Sequence, residues 1–133
     1  MMNQDTLEAI IVDGDGEVTV REAESLGRDL ARKLSTSQIR GIFGTVRRIE
    51  MTWPEEPHDE KEEQAAAQAQ RELLLLKPKM AYQAKREPGR GVQTLVEVLD
   101  DAIGLIEGKR QRFQHFVDFF EATLAYHKAH GGK

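Results

Sequence analysis

The sequence has no cysteine, so neither a disulfide nor a thiolate metal site can form, and the reducing cytoplasm is the expected compartment. It has no apolar run near the ~20 residues that a membrane-crossing helix needs. The N-terminus lacks a charged segment followed by an apolar stretch, which argues against a secretory signal and against a membrane partner. Aromatic residues are few: one Trp, two Tyr and five Phe. Alternation of apolar and polar residues, the mark of a half-buried strand, is almost missing. There is no glycine-rich phosphate loop, no H-E-x-x-H pair and no nucleophile elbow, so neither an enzyme nor a cofactor is expected.

What is present is helical pattern and unevenly placed charge. The 133 residues, 39% hydrophobic and 32% charged, suit one globular domain on the polar side. A net charge of −4 excludes a uniformly basic nucleic-acid binder, yet it hides local excess. Residues 1–34 hold eight acids and four bases, whereas residues 77–90 hold five bases and the single acid Glu87.

The periodicity predicts an all-α fold, a compact bundle of about five helices behind an irregular N-terminal lead-in. Residues 1–18 read as irregular or hairpin-like, because Ile10-Ile11-Val12 is short and apolar and Asp13-Gly14-Asp15-Gly16 is a turn signal. Residues 19–133 read as one helical domain. Thr19 and Glu22 form a capping box ahead of a helix over 20–34, with Val20, Ala23, Leu26, Leu30 and Leu34 on one face. Ser35 and Gln38 form a second box ahead of a helix over 37–51, with Ile39, Ile42, Phe43, Val46 and Ile49 as its stripe. Pro54 and Pro57 interrupt the chain in an acidic loop. Asp59 then caps a helix to about Leu76, and Pro78 either kinks it or opens the next one. "EPGRG" (87–91) ends that segment. Val92 to Ile106 form a further stripe closed by Gly108, and a last helix runs over 109–130.

Two sets of cations lie on these helices. Arg40, Gly44 and Arg47 fall in one narrow sector opposite Ile42, Val46 and Ile49, with Arg48 to one side. Lys79, Gln83, Arg86 and Arg90, at i, i+4, i+7 and i+11, make one cationic stripe if helix continues past Pro78. Leu73, Leu76, Met80 and Ala84 would seat that helix in the core. Guanidinium and ammonium groups so arranged suit phosphate oxygens. They equally suit a solvated face, or a face that docks on acidic protein surfaces. Tyr82 could pack, hydrogen-bond or offer its ring to a base. Asp13, Asp15, Gly16, Val18 and Glu22 match part of a calcium loop, but Ile11 stands where its first acid belongs, and a capped turn explains the same residues. His115, His127 and His130 read as surface or helix-terminal residues, and His58 as solvated. Neither Asp100 nor Asp101 has an obvious partner. Phe119, partly off the main apolar face, could help bury a subunit contact. No metal site is expected.

Three blocks, "LSTSQIRGIF" (34–43), "LLLLKPKMAYQAKR" (73–86) and "RFQHFVDFFEATLAYHK" (112–128), in that order and spacing, resemble the small helical subunit of type III-A CRISPR–Cas effector complexes, the second of the Csm series. The resemblance covers roughly residues 19–130. It implies an all-α protein without an active site, several copies of which stack as a minor filament in the complex. The implied partners are crRNA and target RNA, other Csm-type subunits and further copies of itself, in antiviral defence. The first block carries over Gln38 and Arg40 as RNA contacts. The second carries over Lys77, Lys79 and Arg86, with Tyr82 in a structural role. Arg47, Arg48 and Arg90 join the candidate RNA-binding set from helix geometry alone. At Gly41 the sequence departs from the family pattern, where many relatives carry a second cation beside the arginine.

Overall fold

A computed structural model describes residues 2–87 and 89–133, and among them six α-helices and no strand. The helices are α1 (Gln4–Ile11), α2 (Gly16–Leu30), α3 (Thr36–Thr52), α4 (Glu60–Arg86), α5 (Gly91–Gly104) and α6 (Arg110–Ala129). The phenylalanine-rich α6 is the hub: α2 packs along it, α3 bridges it to α4, and α5 packs on α4. Phe113, Phe116, Phe119 and Phe120 of α6 are all fully buried. Trp53 stacks on Phe113 at 4.8 Å between ring centroids, and Phe43 meets Phe120 edge-on at 5.0 Å. Phe119 is therefore core and has no spare face for a subunit contact.

The N-terminal lead-in is not irregular. Asn3 caps α1 by accepting from the Thr6 N–H at 2.8 Å, and Leu7, Ile10 and Ile11 enter the common core. A helix this short is marginal in water, and docking on α6, α2 and α5 stabilises it. Its adjacent β-branched residues conceal the helical period.

The next helix also starts earlier than its apparent capping box. Asp15 accepts from the Val18 N–H, whereas Thr19 turns its hydroxyl back to the Asp15 carbonyl at 2.7 Å. The shift leaves Val20 half exposed and ends α2 at Leu30, with Leu34 buried in the following turn. Gly27 lets α6 approach closely, because a Cβ there would stand 2.8 Å from Thr123 O and His127 N.

The middle of the chain follows its caps. Ser35 and Gln38 form the full capping box of α3, and Asp59 caps α4 by accepting from the Glu62 N–H at 2.8 Å. Early acids Glu60, Glu62 and Glu63 favour the positive end of the α4 dipole. α4 runs unbroken through Pro78, which lies on its exposed face, and ends where the Glu87 N–H reaches Gln83 O. Of the "EPGRG" turn, Pro88 lies outside the described residues. Gly91 opens α5 against the Lys33 carbonyl, an approach that a side chain would block. Glu107 and Gly108, at φ of 51° and 72°, turn the chain into α6.

The histidines divide by burial. His127 is not at the surface; it is fully buried, and its Nε2 lies 2.6 Å from Leu34 O, fastening α6 to the α2–α3 turn. His115 reaches Ile11 O at 2.9 Å and covers Gly14, while His58 is exposed. No helix among the described residues is long and apolar enough to cross a membrane.

Candidate nucleic-acid interface

α3 and α4 lie antiparallel. Gln38 in the first turn of α3 touches Glu87 at the end of α4, Nε2 donating to Oε2 at 3.3 Å. Farther along, Thr45, Arg48 and Ile49 share a shallow cleft of about 140 Å³ with Glu72, Leu76 and Lys79. Buried Ile39, Ile42, Val46 and Ile49 on one helix, and Leu73, Leu76 and Met80 on the other, fix these faces. The polar residues on the flank of each stripe that faces the other helix therefore line the seam, as Thr45 and Arg48 do on α3 and Glu72 and Lys79 on α4.

Arg48 and Lys79 line this seam, Arg86 follows Lys79 about 20° around α4, and Arg40 stands on the adjoining outer face of α3, about 80° around from Arg48, all four exposed. None of the four forms an ion pair among the described residues. Gly41 and Gly44 lie on the same exposed face of α3, and a Cβ at either would meet nothing within 4 Å. The seam thus combines unpaired cations with bare helix backbone. Arg86 also places its guanidinium 5.5 Å from the centre of the Tyr82 ring. Tyr82 is 67% exposed, so it is not a packing residue of the chain. Glu72 adds one carboxylate to the cleft, and the Gln68 amide donates to it at 3.3 Å.

The other four expected contacts are placed differently. Gln38 is committed to the capping box and to Glu87. Arg47 pairs with Glu50 at 2.7 Å, on the side of α3 that faces Gln114 of α6. Lys77 lies about 160° around α4 from Lys79, and its ammonium approaches Asp100 of α5 at 3.8 Å. Asp100 thereby has a partner that its own sequence neighbourhood did not suggest. Arg90 does not continue the α4 stripe, because the helix ends at Arg86 and Arg90 takes the N-cap position of α5. Sequence reasoning passed over Gly41 and Thr45 as seam residues. Their i, i+4, i+7 spacing with Arg48 was the available signal.

The arrangement can hold a row of phosphates by charge and close approach. Among the described residues no three His, Asp or Glu side chains come together as a metal set. Among the described residues, fold and seam define a small all-helical protein with an open cationic face. A family model described as Csm2 Type III-A matches residues 13–133. The chain belongs to that family, the small structural subunit of the type III-A CRISPR effector complex. The match begins upstream of the region where the three sequence blocks carry the resemblance. No curated protein and no solved structure matches the chain.

Proposed function

We propose that the protein is a non-catalytic RNA-binding subunit that stacks in several copies as the minor filament of the complex. Its α3–α4 seam lies along the crRNA and target RNA backbone, in the cytoplasm and without a cofactor. One observation carries this reading: Arg48, Lys79 and Arg86 along the seam, and Arg40 on the adjoining outer face of α3, are exposed without an ion-pair partner among the described residues and stand beside bare glycine backbone. Such contacts hold phosphates and are indifferent to base sequence. One copy offers few of them, so affinity accumulates along the filament. Residues 19–133 form the subunit's RNA-facing domain in this reading.

The test is binding of single-stranded RNA as a function of salt. Each phosphate contact contributes a slope of about −0.7 for a single strand. Replacing Arg40, Arg48, Lys79 and Arg86 together by Ala should shrink the slope by roughly 2–3 and weaken binding about equally for all sequences. Arg47→Ala and Lys77→Ala should change it little. A slope that stays the same in the fourfold variant overturns the proposal. A second reading, in which the seam docks on acidic protein surfaces, draws on the carboxylates that Arg47 and Lys77 do find. Co-purification of other subunits that survives RNase but is lost in the fourfold variant would favour it.

A further inference from the structure

Two further features fit one another. The first is a recess of about 310 Å³ where the first half of α4 meets the end of α5. Its walls include Trp53, Leu73, Ile103 and Ile106, all buried, and its rim is bare at Gly104 and Gly108. Directly after Trp53 the chain enters residues 55–63, which carry six acids against the single base Lys61. Glu107 also lines the recess, but Arg112 pairs with it at 3.2 Å, so the loop before α4 and the first turn of α4 supply the negative charge. The recess is apolar inside and acidic alongside.

The second feature is the outer face of α4, which adjoins the seam at Arg86. Leu75 and Tyr82 are 42% and 67% exposed there. Tyr82 and Lys85 lie about 60° and 120° around the helix from Lys79. Tyr82 is therefore an exposed aromatic ring with Lys85 and Arg86 next to it, the reverse of the recess in shape and in charge. It cannot fill the recess of its own copy. The α4 wall of that recess is Gln70, Leu73 and Leu74, about 12 Å back along the same rigid helix.

We propose that the Trp53 recess receives Tyr82 of a second copy of the chain. The ring enters the apolar recess, and Lys85 faces the acids of residues 55–63. This contact rests on the reading of the protein as a multi-copy subunit and names the surfaces that meet. Arg86 stands at the border of this contact and Arg40, Arg48 and Lys79 lie outside it, so a chain of copies keeps most of its cationic seam accessible to one strand.

The experiment is sedimentation velocity on the full chain, freed of RNA, from micromolar to about millimolar concentration. Two variants each remove one half of the contact. Tyr82→Ser blunts the plug at an exposed position. Gly104→Trp fills the recess at a site where an added Cβ meets only Lys77 Nζ, at 3.9 Å. Wild type should associate with rising concentration, and more weakly at high salt. Each variant alone should remain monomeric with an unchanged helical circular dichroism spectrum. An equal mixture of the two should form one-to-one dimers, because each brings the half that the other lacks. A wild type that stays monomeric throughout, association that persists in both folded variants, or a mixture that stays monomeric each overturns the proposal. Association is read without RNA, so failure of the RNA-binding reading would show instead as an unchanged salt slope in the fourfold variant.

Discussion

Glycines that look alike in sequence do opposite work in this molecule. Gly27 is buried in the α2–α6 contact, and a methyl there would stand 2.8 Å from two backbone atoms of α6. Gly44 faces open space in the middle of α3. Gly27→Ala should therefore destabilise the fold by about 2 kcal/mol or more through overpacking. Gly44→Ala should stabilise it by about 0.5–1 kcal/mol, because alanine suits a helix interior better. Thermal unfolding separates the two. If the RNA strand lies against the bare face of α3, Gly44→Ala should also weaken RNA binding while the protein becomes more stable. His127 belongs to the same scale. Its period on α6 put it near the helix end, where a surface role is ordinary, yet its ring lies in the core beneath Gly132. Only the return of the chain past Leu34 decides that.

Among the elements, α4 shows best how local signals and packing combine. Its N-cap, acidic first turn and basic last turn agree with the helix dipole, and all are legible in sequence. Pro78 is the one discordant residue. It removes an N–H from the ladder and crowds the carbonyl four residues back. The helix continues because Leu73, Leu76 and Met80 hold both halves to the same core. Pro78→Ala should leave the fold intact and stabilise it by about 1–3 kcal/mol, read as a higher denaturant midpoint with an unchanged slope. A drop in stability would show that the proline relieves some other strain. The shorter α1 illustrates the reverse case. Eight residues give too few turns for a period to stand out, and adjacent isoleucines imitate a strand.

At the scale of the whole molecule, the core is one continuous cluster that includes α1, so the first residues are not a dispensable tail. Deleting residues 1–12 removes Leu7, Ile10 and Ile11 and uncovers the apolar surface beneath them on α6 and α2. At about 1.5–3 kcal/mol for each buried aliphatic side chain, the loss should exceed about 4 kcal/mol. The truncated chain should then show a much lower melting temperature or fail to fold, and a melting temperature within a few degrees of the full chain would contradict this. The fourfold seam variant should behave oppositely. Its residues are exposed and unpaired, so stability should stay within about 0.5 kcal/mol while RNA binding falls.

The sequence alone determined that the chain is helical, where α2, α3, α5 and α6 lie within a few residues, where α4 starts, and which family it resembles. Those properties reside in caps, in a period near 3.6 and in short ordered blocks, all of which act over a few turns. It also showed that cations cluster near residues 40–48 and 77–90. Only the tertiary structure decided which of them share a surface. Lys77 and Lys79 are two residues apart in sequence, yet one turns toward Asp100 and the other toward the cleft with Arg48. The physical reason is that a side chain's direction follows from helix phase, but what it faces follows from which helix packs alongside. That choice is made by burial of apolar surface across the whole chain.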